Sequence, residues 1–270
     1  MHSVLRFVPK NFLSWCVGEI ARVKLPQALA LLVITAFAKK YRVRVEEAEL
    51  PLNCYHSLAH FFSRRLKAGL RPVGSGVVSP VDGVCTVRGK IENGTLLQIK
   101  GINYTVQELL GEERSNYEGG TYLTIYLSPP DYHRIHSPVA GNVVSYKYLP
   151  GALWPVNDWA VRNIRGVFAR NERVAIELET ANSKVTLVAV GALNVGSVSL
   201  SFATFVSNRP GRRVGFQTVL PTPIEVEAGG ELATFNLGST VILLFPPNSV
   251  VLSLVEGIRI KCGESIGEFR

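Results

Sequence analysis

Two histidines and one serine in this sequence are spaced so that they could carry out acid–base and nucleophilic chemistry. His133 and His136 stand three residues apart with prolines on both sides, which predicts a short constrained loop between strands. Ser239 follows Gly238, whose backbone carbonyl is shielded by no side chain. If a histidine removed the hydroxyl proton, Ser239 could attack that preceding carbonyl. Because Gly-Ser pairs are common in turns, the pair alone is weak support.

Asp82 is singled out by an internal repeat. Residues 79–83 read Ser-Pro-Val-Asp-Gly and residues 137–141 read Ser-Pro-Val-Ala-Gly, which are two copies of one turn. Because the second copy has alanine, the turn itself does not require a carboxylate. Asp82 is therefore a functional candidate, and the alternative is a local Asx turn in which the side chain bonds its own backbone.

Metal and serine-hydrolase chemistry are poorly supported. The loop histidines have no further His or Cys cluster beside them, and His56 with His60 is more consistent with a solvated helix face. Ser265 lies in a Gly-x-Ser-x-Gly pattern, but too few residues follow it for the helix that such an elbow requires. We therefore expect no metal and no hydrolase elbow.

A β-rich domain is predicted to position the candidate residues. Beyond Pro72, short runs of Val, Ile, Thr and Tyr alternate with Gly, Pro and Asn. Residues 225–235 and 259–269 repeat a turn-plus-strand pattern that is similar to the barrel-sandwich hairpins of biotinyl and lipoyl domains. A carrier function is disfavoured because no lysine lies between Lys184 and Lys261. Four of the predicted strands are 123–127, 142–148, 174–178 and 184–190.

The positive charge of the chain is concentrated in residues 1–72. This segment holds 12 Lys and Arg against 4 Asp and Glu, whereas the remainder carries 17 of each sign. Apolar stripes with helical spacing run from Leu29 to Phe37 and from Leu58 to Leu66, with basic residues beside them. The pattern favours docking on an anionic bilayer over a helical cap whose stripes face the protein core. It lacks a nucleic-acid-binding motif.

The predicted fold class is thus α+β, with an N-terminal helical membrane-docking segment (1–72) and a β-rich, barrel-sandwich-like catalytic domain (73–270). Two long uncharged stretches, 185–208 and 232–255, contain turn residues and are typical of strands, so no transmembrane helix is expected. The four cysteines form no disulfide or zinc pattern, which favours a reducing, cytoplasmic setting.

Five motifs together resemble the pyruvoyl-dependent phosphatidylserine decarboxylases in their short bacterial membrane-associated form. The similarity runs from about Leu25 to Phe269 in family order. The motifs are Leu-Gly-Ser-Thr-Val-Ile (237–242), Asp-Tyr-His-Arg-Ile-His-Ser-Pro (131–138), Ser-Pro-Val-Asp-Gly (79–83), Phe-Ala-Arg-Asn-Glu-Arg-Val (168–174) and Val-Gly-Ala-Leu-Asn-Val-Gly-Ser (190–197).

The resemblance implies a proenzyme that cleaves itself. Asp82, His136 and Ser239 would form a relay in which the carboxylate orients the imidazole and the imidazole activates the hydroxyl. Cleavage between Gly238 and Ser239 would give a β chain (1–238) and an α chain (239–270). The α chain would begin with a covalent pyruvoyl cofactor derived from Ser239.

The reaction implied by the resemblance is decarboxylation of phosphatidylserine to phosphatidylethanolamine through an imine with the pyruvoyl group. His133 would donate the proton, although both histidines could instead serve maturation, and Tyr132 is within reach. Residues 153–156 either line the substrate mouth or form a buried loop. The implied partner is phosphatidylserine in an anionic bilayer, with peripheral attachment on the cytoplasmic side of the cell membrane, and family analogy suggests a homodimer.

Two other functions remain open at this point. A pyruvoyl-dependent decarboxylase of a soluble amino acid would share the chemistry but would not need the basic N-terminal stripes. A non-catalytic, membrane-binding β scaffold would share the composition but would never cleave itself.

Overall fold

The structure is a computed structural model that describes residues 10–99, 102–112, 115–181, 183–193, 197–209, 214–236 and 240–270. Gly238 and Ser239, the predicted cleavage site, lie outside these ranges. Their neighbours Asn236 and Thr240 are described.

Short helices lie at the N-terminus and between strands. In the described part of the chain they are α1 (Lys10–Arg22), α2 (Gln27–Tyr41), α3 (Leu58–Phe62), α4 (Val106–Leu110), α5 (Asp158–Asn163) and α6 (Val167–Arg170). Single 3₁₀ turns occur at Val45–Glu47, Leu52–Cys54 and Ser115–Tyr117. None of the described helices combines the length and the apolar character required to span a bilayer.

Strands make up most of the regular secondary structure described after residue 76. They are β1 (Val77–Val78), β2 (Gly83–Lys90), β3 (Thr95–Ile99), β4 (Ile102–Thr105), β5 (Thr121–Tyr126), β6 (Arg134–His136), β7 (Gly141–Leu149), β8 (Arg173–Glu179), β9 (Lys184–Val190), β10 (Val198–Leu200), β11 (Phe216–Val226), β12 (Glu231–Phe235), β13 (Thr240–Phe245), β14 (Val250–Leu252), β15 (Arg259–Ile260) and β16 (Ser265–Phe269). The prediction of a strand-rich chain with N-terminal helices is confirmed.

The largest sheet within the described residues has the order β11-β7-β8-β9-β13-β5-β2-β15, and its neighbouring strands are antiparallel. The four strands predicted from local periodicity correspond to β5, β7, β8 and β9. The two long uncharged stretches are built from β9, β10, β12, β13 and β14, as expected.

Strand β13 is buried on both faces, which explains its continuous apolar sequence. Val241 and Leu243 point into one hydrophobic core, and Ile242 and Leu244 point into a second core on the opposite face of the sheet. The strand begins at Thr240, directly after the predicted cleavage site. The candidate serine is therefore attached to a strand that packing fixes on both sides.

The Ser-Pro-Val repeat is also confirmed as a structural repeat. The Ser79 hydroxyl donates to the carbonyl of Val81 at 2.7 Å, and the Ser137 hydroxyl donates to that of Val139 at 2.7 Å. The first copy leads into β2 and the second into β7. Asp82 is consequently the position at which two otherwise similar turns differ.

The two apolar stripes of the N-terminal segment differ in their exposure to solvent. Helix α2 packs against the protein through Ala30, Ile34 and Ala38, whereas Leu32 on the predicted stripe is 66% exposed. In α3, the rings of Phe61 and Phe62 are buried. Leu29 and Leu32 of the first stripe therefore face outward, whereas Phe37 at its end packs on Phe61 and Phe62 of the second stripe, which faces the protein core.

Candidate active site

The strands before and after the predicted cleavage site pair with different neighbours, and only the first of them pairs with a strand that carries a histidine. Strand β12 pairs with β6, and the last residue of β12, Phe235, donates its N–H to the carbonyl of His133 at 2.9 Å. After the site, Thr240 pairs with Tyr126 of β5 and with Val190 of β9. The chain thus approaches the cleavage site beside His133 and leaves it between β5 and β9.

His133 is fully buried and presents one unpaired ring nitrogen. Its Nδ1 lies 2.8 Å from the carbonyl of Asp131, so Nδ1 carries the proton, and its ring centre lies 4.1 Å from that of Phe62. Nε2 has no hydrogen-bond partner among the described residues. Burial lowers the pKa of His133 to about 3, against the opposing effect of the Asp131 carbonyl. The ring is therefore neutral, with the Nε2 lone pair available.

His136 is held at both ring nitrogens. Nδ1 donates to the carbonyl of Gly229 at 2.8 Å, and Nε2 accepts from the Tyr132 hydroxyl at 3.1 Å. Burial lowers the pKa of His136, against the opposing hydrogen bond to Gly229, and burial raises that of Tyr132. The pair is consequently a neutral imidazole with a neutral phenol as its donor.

The Asp82 carboxylate bonds to residues far from it in sequence. Arg71 donates from Nε to Oδ1 at 2.8 Å and from Nη2 to Oδ2 at 2.6 Å, and the N–H of Cys262 donates to Oδ1 at 2.8 Å. None of these contacts is the local bond of an Asx turn, so the local alternative for Asp82 is not supported. The hydrogen bonds of the described residues do not include one between Asp82 and His136.

An apolar cavity of about 620 Å³ opens beside the histidine loop. Helices α1, α2 and α3 form one side of it, and Phe62, the residue stacked on His133, belongs to its lining. Tyr126 of β5 also lines the cavity and pairs with Thr240. The cavity therefore lies next to the strand that follows the cleavage site.

Residues 153–156 were predicted either to line the substrate mouth or to form a buried loop, and the structure separates them into two pairs. Pro155 and Val156 line the apolar cavity. Leu153 and Trp154 are buried, and the Trp154 ring belongs to the second hydrophobic core.

The disfavoured chemistries find no support in the described residues. No group of three metal-ligating side chains occurs among them, and both His56 and His60 are exposed. Ser265 is the first residue of β16, and its hydroxyl donates to the carbonyl of Ser75 at 2.8 Å. It is thus part of a strand and not of a strand-to-helix elbow.

Known proteins resemble this chain over nearly its whole length. Residues 58–268 match the family model of phosphatidylserine decarboxylase. The chain belongs to the phosphatidylserine decarboxylase family. Relatives named phosphatidylserine decarboxylase proenzyme include one from Anaeromyxobacter sp. (strain K), 44% identical over 98% of this chain and 96% of the relative. Others are from Myxococcus xanthus (43%; 98% and 96%) and Brevibacillus brevis (43%; 92% and 89%).

Several contacts at this decarboxylase-family site were not found from the sequence. Arg64 lies within the second apolar stripe, where the sequence predicts a solvated basic residue, but it is buried and donates to the carbonyls of Pro130 and Asp131. Arg71, the partner of Asp82, was not singled out. Its position directly before Pro72, where the composition changes, was the only available signal.

The buried His133 predicts a pH-dependent stability for this family member. The folded pKa of His133, about 3, lies below its ordinary value of 6.5, so the unfolded chain takes up the proton first as the pH falls. Its contribution to stability is complete above about pH 6.5 and is lost toward pH 3. Between pH 6.5 and 5, His133 should lower the free energy of unfolding by up to about 2 kcal/mol.

Denaturant unfolding at several pH values, in a Ser239→Ala background that removes the candidate nucleophile, measures this effect. The slope against pH should be shallower for His133→Gln than for the parent. The exposed His56 provides the matched control, and His56→Gln should keep the parental slope. An unchanged slope in His133→Gln would contradict the prediction.

Proposed function

We propose that the chain is a self-processing, pyruvoyl-dependent decarboxylase of phosphatidylserine. The observation that carries this proposal is the position of His133 in a chain of this family. One face of its ring contacts Phe62 in the lining of the apolar cavity, and its backbone carbonyl binds Phe235, close to the cleavage site. His133, which can carry a proton, is thus close both to the apolar cavity and to the cleavage site from which the cofactor would form.

Maturation requires only groups of the chain and water. The Ser239 hydroxyl oxygen bonds to the Gly238 carbonyl carbon while the amide C–N bond breaks, which gives an ester and a free amine on residue 239. Loss of the α-proton expels the ester oxygen, leaving a carboxylate on Gly238 and dehydroalanine at 239. Hydrolysis of the dehydroalanine releases ammonia and leaves the ketone, so no oxidant is needed.

In this scheme His136 receives the hydroxyl proton, with Asp82 as the third member of the relay. The lone pair of His136 Nε2 is suited to this role because Nδ1 already carries the proton that binds Gly229. The Tyr132 hydroxyl now occupies Nε2 and would yield that position to Ser239. The hydroxyl of Thr240, the residue after the new chain terminus, is buried and has no hydrogen-bond partner among the described residues.

During turnover, the pyruvoyl ketone supplies an electron sink for loss of carbon dioxide. His133 would deliver the proton that replaces the carboxylate. Because its ring is neutral, Nε2 must first take up a proton before it can donate one. Burial around His133 and Phe62 excludes water from this proton transfer.

The outward apolar face of α1 and α2 supports peripheral docking on a bilayer. Ile20 is 72% exposed and Leu32 is 66% exposed, and Lys39 and Lys40 are exposed at the end of α2. The same helices line the apolar cavity, so a lipid could enter it without passing through water. We also propose that the β-rich domain has a barrel-sandwich arrangement. The protein would attach to the cytoplasmic face of the cell membrane.

Release of carbon dioxide from three substrates tests the proposal. Wild-type protein should act on phosphatidylserine in vesicles and on short-chain, monomeric phosphatidylserine, but not on free serine. The Ile20→Asn/Leu32→Asn variant should lose at least about tenfold of the vesicle activity, because apolar area that enters the bilayer is removed. It should keep the activity on the short-chain lipid.

A matched control uses exposed apolar residues outside the helices. Val251 and Val255 are 50% and 62% exposed, and Val251→Asn/Val255→Asn should retain vesicle activity. Turnover of free serine at a comparable rate would favour the soluble-substrate alternative. Equal loss of activity on both lipid forms would argue against docking through α1 and α2.

A further inference from the structure

The side chain of Arg71 connects the Asp82 carboxylate to the N-terminal segment. Beyond its two hydrogen bonds to Asp82, Nη2 of Arg71 donates to Oε2 of Glu47 at 2.7 Å, and Nη1 donates to the carbonyl of Leu70 at 3.0 Å. Glu47 ends a 3₁₀ turn between α2 and α3. The guanidinium group therefore lies between a carboxylate of the predicted relay and a carboxylate of the segment predicted to dock on membranes.

All three side chains are shielded from water. The side chains of Arg71, Asp82 and Glu47 are 10%, 5% and 15% exposed. Burial by itself lowers the pKa of Arg71, but the hydrogen bonds to Asp82 and Glu47 raise it above the ordinary value. Removing this cation would leave two carboxylates near each other with little solvent to screen them.

The contacts also restrict how Asp82 can be used. An ionised carboxylate has about four acceptor positions, two on each oxygen. Oδ1 accepts from Arg71 and from the Cys262 N–H, and Oδ2 accepts from Arg71. Counting the described contacts, the acceptor position that remains is on Oδ2. The Cys262 thiol is buried, and its pKa is raised to about 12 by burial and by Asp82, so it stays protonated.

Arg71 and His136 face the same cavity. This second cavity, of about 310 Å³, is lined by Arg71, Tyr132, His136 and Cys262 among others. The group that fixes the Asp82 carboxylate and the imidazole predicted to work with it thus share one space. A carboxylate that rotated freely would not keep its remaining acceptor position in a constant direction there.

We propose that Arg71 is a positioning residue for self-cleavage, which holds the Asp82 carboxylate so that its charge stabilises the imidazolium that forms when His136 takes up the serine proton. Glu47 supports it by fixing the other side of the same guanidinium nitrogen. This inference rests on the proposed self-cleavage. It also gives the segment 1–72 a role in maturation besides docking, so deletion of the whole segment would abolish both.

The test follows the rate at which the newly synthesised full-length chain splits, using intact mass. Arg71→Gln should split about 10- to 100-fold more slowly than wild type, because a bidentate charged pair is lost. Arg71→Lys keeps the charge but not the planar fork, so its rate should lie between the two. Glu47→Gln should slow splitting less than Arg71→Gln does.

Two further measurements distinguish the proposed positioning role of Arg71 from a purely structural role. Melting temperatures are determined in the Ser239→Ala background, where splitting cannot interfere. Lys147→Gln, which breaks the 3.1 Å ion pair with Glu112 elsewhere in the fold, is the matched control and should split at the wild-type rate. Guanidinium at millimolar concentration should accelerate splitting of Arg71→Ala, whereas the same concentration of sodium chloride should not.

The possible results distinguish the inference from the proposed function. If the wild type never splits, the proposed function fails. If the wild type splits and Arg71→Gln splits equally fast, only the role of Arg71 is refuted. Equal slowing in the Gln and Lys variants with matching losses of melting temperature, and no guanidinium effect, would also refute it.

Discussion

Replacement of Ser239 by alanine should leave the chain as a single polypeptide without decarboxylase activity. The methyl side chain has no oxygen to attack the Gly238 carbonyl, so the ester cannot form and no ketone can replace the residue 239 amine. Wild-type protein should instead separate into chains 1–238 and 239–270, and the shorter chain should lack a free amino terminus. Intact-mass spectrometry and a carbon dioxide assay on phosphatidylserine vesicles measure both properties.

The control for this experiment is the other serine in a suggestive sequence context. Ser265 is exposed, and its hydroxyl binds the Ser75 carbonyl, so Ser265→Ala should be processed and active like wild type. Splitting of Ser239→Ala, or a serine amine at the start of chain 239–270 in fully active protein, would refute the pyruvoyl assignment. A wild type that is active as one full-length chain would refute it equally.

Sequence periodicity predicted the strands well because their patterns are local. The runs at 142–148 and 184–190 are strands β7 and β9 with boundaries that differ by at most one residue. The Ser-Pro-Val repeat could also be recognised in the sequence, since each serine hydroxyl donates a hydrogen bond to the carbonyl two residues later. In such cases the interaction partners are neighbours in the chain.

The hydrogen-bond partners of the candidate site residues could not be predicted from the sequence, because they are distant in the chain. Arg64 and Arg65 are adjacent in sequence, yet Arg64 is 4% exposed, whereas the Arg65 side chain is 62% exposed. Asp82 binds the backbone of Cys262, which is 180 residues away. No spacing rule distinguishes a buried arginine from a solvated one, since tertiary packing decides between them.

The histidines illustrate the same limit in chemical terms. Their spacing predicted one constrained loop between strands, which is correct for His133 but wrong for His136, because His136 is the last residue of strand β6 and pairs with β12. Their difference depends on what each ring contacts: a backbone carbonyl and Phe62 for His133, but Gly229 and Tyr132 for His136. Among the described contacts, one ring nitrogen of His133 has no hydrogen-bond partner, whereas both ring nitrogens of His136 have one. This difference could not be predicted from the sequence.

This difference predicts that the two histidines can be separated by mutation. His136→Gln should slow chain splitting by about 10²- to 10⁴-fold, which is the usual contribution of a general base. His133→Gln should split at close to the wild-type rate, but its turnover of phosphatidylserine should fall by a similar factor because Nε2 no longer carries a proton to the substrate. The first readout is the half-time of splitting by intact mass.

The second readout is kcat for each mature protein, divided by its content of reactive ketone so that incomplete maturation is not mistaken for slow chemistry. His60→Gln is a suitable control, since His60 is exposed and belongs to the short helix that carries Phe62. It should change neither quantity. If His133→Gln remained a single chain, the free nitrogen of His133 would have to be assigned to maturation, and both imidazoles would then act on Ser239. If it matured and turned over normally, the proton that replaces the carboxylate would have to come from another group, and Tyr132, bonded to His136, would be the next to test.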